Sequence, residues 1–180
     1  MSKFTTKQIV FSAMAIALAT VISVAIKLPS LPNGGSITLF SMLIICLIGY
    51  WYGPKVSLIA AIAYGILQFI VGPYVVHPLQ VALDYPLAFG ALGLSGLFCN
   101  KKFGLQIGYV IGVVGRFVCS TLSGVIFFAD YAPEGMNPWI YSIAYQGSYL
   151  GVELVLTLII ISIPPVAKAL SLVKSKTKEI

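Results

Sequence analysis

Apolar runs of about 16–25 residues, separated by short polar breaks, recur along this chain. That pattern constrains the fold more than any single motif does. A soluble core needs a polar shell, and with 59% hydrophobic and 9% charged residues among 180 there are too few charges to make one. The runs predict an all-α integral membrane bundle, folded as one domain over residues 1–180.

Six transmembrane helices are expected at roughly 8–26, 37–52, 55–72, 78–100, 104–128 and 138–168. The second and third are short for a hydrocarbon layer of about 30 Å. The basic start, Met1 to Lys7, has the charge of a signal peptide, but no convincing A-x-A site ends the run, so a retained first helix is expected. Six crossings put both termini on one side. Lys3, Lys7, Lys55, Lys101, Lys102, Lys168, Lys174, Lys176 and Lys178 then share that side, with Lys27 opposite and Arg116 inside a span. The bias predicts cytoplasmic termini, and it assigns the net charge of +6 to topology rather than to nucleic acid. The C-terminal lysines read as a solvated anchor on the inner face.

The stretch from His77 to Tyr85 heads the fourth run and sets a carboxylate, Asp84, into lipid-like sequence. An ionisable group at mid-depth costs about 2.5–3.5 kcal/mol on insertion scales, which marks it as a functional candidate. His77, Gln80 and Asp84 share one face of a regular helix. The other spans hold Arg116 and Glu153. At ~1.5 Å per residue, Asp84 lies roughly 9 Å below the outer end of its helix, Arg116 roughly 18 Å and Glu153 roughly 22 Å below theirs. Arg116 and Glu153 share a level and are expected to form a structural ion pair. Asp84 has no evident cationic partner, so the upper cavity favours a cationic or proton-donating ligand.

On helix 6, Ser142, Gln146, Tyr149 and Glu153 form a polar stripe at helical spacing, extended by Tyr141 and Tyr145. With Ser120 and Gly124 of helix 5 and Tyr74 before helix 4, they describe an aromatic-walled cup for a small heteroaromatic molecule. The steps Ala13 to Ala17 and Ala15 to Ala19 permit close helix approach, within the bundle or to a partner subunit. The first loop, 28–36, has two prolines and two glycines; it is either a cover for the cavity mouth or a connector. Tyr131 and Trp139 suit a membrane-interface belt. Cys46, Cys99 and Cys119 lack metal-site spacing, and no cofactor or metal is expected. His77 precedes a proline and reads as a cap or loop contact. No nucleotide-binding glycine loop, H-E-x-x-H or G-x-S-x-G elbow is present.

The most specific stretches are Pro32-Asn-Gly-Gly-Ser36, His77-Pro-Leu-Gln-Val-Ala-Leu-Asp84-Tyr85, Leu94-Ser-Gly-Leu-Phe98, Ser123-Gly-Val-Ile-Phe-Phe128 and Trp139-Ile-Tyr-Ser-Ile-Ala-Tyr145. Through them the chain resembles, from helix 1 to helix 6, the thiamine-specific S-components of energy-coupling factor (ECF) transporters, the ThiT type. The resemblance implies a six-helix vitamin-capturing subunit of the bacterial plasma membrane, without catalysis of its own. It also implies docking on an EcfT-type coupling subunit with two cytosolic ATPases, through a helix 1 face that falls on Ala13 and Ala17. The implied substrate-binding residues are Asp84, Tyr85, Tyr74 and Tyr141, together with three departures from the family pattern. Ser120 stands at a histidine position, Phe128 at a tryptophan and Gln146 at an asparagine. Glu153 has no family counterpart, and the first loop lacks an aromatic lid residue found in some members.

Those departures bear on the ligand. Thiamine is favoured because its permanent cation suits Asp84; a vitamin B6 compound or hydroxymethyl-pyrimidine is the alternative. A membrane enzyme using Asp84 and Glu153 as acid and base is disfavoured by their separation of more than about 10 Å in depth. A stand-alone secondary transporter is disfavoured because no internal repeat is evident.

Overall fold

The computed structural model describes residues 4–26 and 35–178. Lys27 and most of the first loop lie outside the described residues. Among the described residues the bundle is made of seven helices, apart from a short 3-10 turn at Ala129–Tyr131: α1 (Thr6–Ala25), α2 (Ser41–Tyr52), α3 (Pro54–Val71), α4 (Pro78–Phe98), α5 (Gly104–Phe127), α6 (Pro138–Ser162) and α7 (Pro164–Lys178). Five of them, α1 and α3 to α6, are long and apolar enough to cross a membrane, and α2 is a shorter apolar helix.

Local chemistry sets the boundaries. Thr5 and Gln8 form a reciprocal capping box at α1. Gly53, at φ 84°, reverses the chain between α2 and α3 in a conformation that an L side chain resists, and Pro54 then starts α3. Asn137 caps α6 by accepting from Trp139 N at 2.9 Å, with Pro138 next in line.

Two boundaries differ from the sequence expectation. The last span ends at Ser162 rather than near 168, because Pro164 bars the helical conformation at Ile163, which is extended at ψ 124°. The residues beyond this break form a separate helix, α7, most of it exposed. Its Lys174 ammonium donates to the Cys99 carbonyl at the end of α4 and lies 3.8 Å from the Tyr50 ring centre. A cation at a helix C-terminus and over an aromatic face is stabilising on both counts. Lys174→Met should therefore raise local opening of α7 about fivefold. Tryptic cleavage after the exposed Lys168 reads that opening, and an unchanged rate would refute the latch.

The second difference is α2, which begins at Ser41 rather than near 37. Twelve residues rise only about 18 Å. This helix is the most enclosed in the bundle, with Met42, Ile45, Cys46 and Ile48 inaccessible. Its shortness leaves the bundle axis open above Ser41.

The fourth span is not one regular helix. An α turn over Pro78–Ala82 widens into a π turn over Leu83–Leu87, then tightens into a 3-10 helix over Ala91–Phe98. Pro86 is the cause of the wide turn, since it has no N–H to donate back and its ring crowds the preceding turn. Asp84 and Tyr85 sit inside that wide turn. From Gly90, just before the 3-10 part, Gly93 and Gly96 within it follow at steps of three, which matches three residues per turn. Cβ atoms at Gly93 and Gly96 would come within 2.6 Å of the Leu58 and Pro54 Cα atoms, so α3 packs backbone to backbone on this stripe.

Candidate ligand cavity

A cavity of about 250 Å³ opens above α2. Its lining comes from the C-terminal ends of α1, α3 and α5 and the N-terminal ends of α2, α4 and α6. The six helices therefore alternate in direction, with the cavity at the end remote from Thr6 and Ser162. Asp84, Tyr85, Tyr74, Ser120, Phe128, Tyr141 and Gln146 all line it, together with Arg116.

Asp84 is held from its own helix. Gln80, one turn earlier and 1% exposed, donates from Nε2 to Asp84 Oδ2 at 2.6 Å. The same amide nitrogen reaches the Tyr74 carbonyl at 3.2 Å, and Gln80 Oε1 accepts from Val76 N at 3.1 Å. One buried glutamine thus ties the carboxylate to the loop before α4. Among the described residues, no cationic side chain forms an ion pair with Asp84. His77 is spent on structure: its Nδ1 accepts from Leu79 N at 3.1 Å, and its ring stacks on Phe127.

The aromatic walls are fixed by hydrogen bonds. Tyr85 donates to the Gly72 carbonyl at 2.9 Å, accepts from Tyr74 N at 3.0 Å, and meets Phe69 edge to face. The Tyr74 ring stacks on Phe128 with centres 5.8 Å apart, and Tyr131 lies beyond. The hydrogen bond with the neighbouring Tyr131 hydroxyl pushes the Tyr74 phenol above its ordinary pKa. On α6, Tyr141, Tyr145 and Tyr149 form a ladder at centre distances of 6.1 and 6.0 Å. Tyr145 OH accepts from Gly35 N at 2.8 Å, which ties the first loop's end to the wall. Gln146 Nε2 donates to the Ser120 carbonyl at 3.2 Å, and its Oε1 accepts from the Tyr149 hydroxyl.

The expected Arg116–Glu153 ion pair does not form. Glu153, 1% exposed, accepts through Oε2 from Thr38 N at 3.2 Å and Thr38 Oγ1 at 3.4 Å. It anchors the segment leading into α2. Arg116 turns toward α4 instead, its Cζ 3.9 Å from the Phe89 ring centre. Shared depth fixes height along the bundle but not the direction a side chain faces, and these two diverge.

The sequence reading missed the clamp by Gln80, although its spacing of four from Asp84 carried the signal. It also missed Phe89 and Gln68 as lining residues; each looks like ordinary packing in an apolar run. The two small-residue pairs of α1 separate clearly. Ala19 is buried and Ala15 packs on the core, whereas Ala13 and Ala17 are exposed beside Met14, Leu18 and Val21.

An all-helical membrane bundle with a polar and aromatic cavity at one end belongs to the class of multi-pass membrane proteins that bind small molecules. A family model described as Thiamine transporter protein (Thia_YuaJ) matches residues 9–173. The chain belongs to that family, one of transporters rather than enzymes, and is a multi-pass protein of the bacterial cell membrane. The thiamine transporter ThiT of Bacillus subtilis is 35% identical over 135 residues, covering 67% of this chain and 70% of the relative. ThiT of Lacticaseibacillus paracasei is 31% identical over 121 residues, covering 58% and 60%. A solved structure of ThiT from Listeria monocytogenes superposes with a TM-score of 0.71 at 24% identity, over 88% of this chain and 94% of that one. That likeness is one of fold.

Proposed function

We propose that this chain is the substrate-binding component of an ECF-type importer and captures thiamine at the outer face of the membrane. The observation that carries the reading is Asp84. It is a carboxylate in the cavity wall, oriented by a neutral amide, with no cation among the described residues paired to it and aromatic rings around it. Thiamine supplies the missing positive charge on a flat ring, which the Tyr74, Phe128 and Tyr141 faces suit.

The orientation rests on charge. Lys7, Lys55, Lys101, Lys102, Lys168, Lys174 and Lys176 all belong to the end opposite the cavity, whereas Asp130 and Glu134 belong to the cavity end. The positive-inside bias then puts the cavity outside and both termini in the cytoplasm, with α2 completing a six-span bundle. The chain has no nucleotide-binding loop, so uptake needs an EcfT-type subunit and two ATPases as separate partners. The exposed Ala13 and Ala17, flanked by Met14 and Leu18, supply a small-residue face for such a subunit. Ser120 and Gln146 give this cavity neutral polar groups, which keeps a vitamin B6 compound or hydroxymethyl-pyrimidine as the second reading.

Calorimetric titration of the detergent-purified protein with thiamine and with pyridoxine separates the two. Thiamine should bind at least a hundredfold tighter. The reverse order would move the assignment to vitamin B6, and binding of neither would reject both.

A further inference from the structure

We infer that α7 is an in-plane interfacial helix, and that the anionic phospholipid surface at the lysine-rich end of the bundle is its ligand. Such a role lies beyond vitamin capture and holds whichever molecule the cavity takes.

Pro164 follows the end of the last span, and α7 then crosses the end of the bundle instead of leaving it. Ala167 and Leu170 share a crevice with Tyr50 near the end of α2 and Gly104 at the start of α5. Lys174, about 15 Å further along the helix axis than Pro164, still reaches the Cys99 carbonyl at the end of α4. A helix continuing along the bundle axis would by then have left all three. The axis of α7 therefore stays at the level where the spans end, which is the membrane interface.

Its side chains divide into three sectors. Val166, Ala167, Leu170, Lys174 and Thr177 are half-buried against the bundle. Beside them, Ala169, Leu172, Val173 and Lys176 follow at steps of three, one and three, which makes one strip. Leu172 is 54% and Val173 41% exposed. Lys168, Ser171 and Ser175 form the remaining face, all exposed. A helix that rests on protein, acyl chains and water together needs these three faces. Lys176 ends the strip, where its long stem can lie along apolar surface with the ammonium at the headgroups.

Charge chooses the occupant. Residues 164–178 hold four lysines and no acidic side chain. Lys101 and Lys102 are exposed at the adjoining turn between α4 and α5, and Lys55 at the start of α3. Among the described residues no carboxylate lies at this end: Asp84, Asp130 and Glu134 belong to the cavity end, and Glu153 lies within α6. Each lysine near an anionic leaflet is attracted to it, and a zwitterionic surface would leave that charge unanswered. The positive-inside bias accounts for lysines at this end, but not for their pairing with an exposed apolar strip on one helix.

The test is hydrogen exchange of the full chain in nanodiscs of pure phosphatidylcholine and of phosphatidylcholine mixed equally with phosphatidylglycerol. The α7 amides should exchange roughly tenfold more slowly with phosphatidylglycerol, and the α5 amides equally in both. About 0.5 M salt should remove most of the difference, because exposed charges are then strongly screened. Lys168→Gln combined with Lys176→Gln should do the same at low salt; both side chains are exposed, so the bundle should stay intact. Equal α7 exchange in the two lipids would overturn the inference, and so would a difference that survives both the salt and the lysine replacements. Unchanged α7 exchange in Leu172→Ser would overturn it as well, since the apolar contact is then absent. Protection that appears only when a coupling subunit and its ATPases are added would assign the face to a protein and reject the lipid. If the double variant does not fold, the wild-type salt series decides.

Discussion

Asp84→Asn should weaken thiamine binding by roughly ten- to hundredfold while leaving the fold intact. The substitution removes one charge and no atoms of consequence to the packing. An asparagine oxygen still accepts from Gln80, so the clamp that joins the α4 turn to the Tyr74–Val76 loop remains. What is lost is a charge-assisted contact in a site walled by rings, worth about 1.5–3 kcal/mol. Melting in detergent should move little, and calorimetric titration should carry the whole effect. Neutral ligands provide the contrast: pyridoxine or hydroxymethyl-pyrimidine should lose far less than thiamine. Equal thiamine affinity in Asp84→Asn and wild type would remove the carboxylate from the account of recognition. Gln80→Leu is the companion variant. It keeps the charge but frees both the carboxylate and the loop, so its losses should appear in stability as well as affinity.

How much of the fold and the cavity is legible in the sequence depends on which physical quantity each residue pattern encodes. Apolar length encodes crossing, so the apolar runs and their alternation can be read directly. Helical spacing encodes a shared face, so the α6 stripe of Ser142, Gln146, Tyr149 and Glu153 is legible, and all four are buried. Depth encodes only height. Arg116 and Glu153 lie at one level by that measure, yet one faces Phe89 and the other Thr38.

Backbone irregularity is the least legible. Pro86 announces a disturbed turn, but whether the chain answers with a kink, a wide π turn or a broken helix depends on the neighbouring helix. Here α3 decides, through the room it leaves. The break after Ser162 is written in Pro164-Pro165 but masked by the apolar residues that continue on either side. For α2, the left-handed Phe40 at φ 70° and the pull of Glu153 on Thr38 delay the start of the helix, and neither is a matter of local propensity.

The room left by α3 gives the second large expectation: Gly65→Val should cost both stability and binding. A Cβ at Gly65 would lie 2.4 Å from the Tyr85 carbonyl oxygen, 2.9 Å from its carbon and 3.0 Å from Phe89 Cβ. The two nearest of those atoms are backbone, so no rotamer change relieves the clash, and α3 and α4 must part. That carbonyl stands there because the π turn around Pro86 pushes it toward α3. Overpacking of this kind costs about 1–3 kcal/mol for a single added group, and a valine adds three carbons. Alanine should be milder, since part of its clash is offset by about 1 kcal/mol of helix propensity gained over glycine. Gly151→Ala is the control: it is also a mid-helix glycine, but a Cβ there meets nothing within 4 Å. Detergent melting should rank Gly151→Ala at or above wild type, then Gly65→Ala, then Gly65→Val. Thiamine affinity should fall with Gly65 substitution alone, because the displaced turn carries both Asp84 and Tyr85. A Gly65→Val protein that melts and binds like wild type would show that the wide turn does not depend on α3.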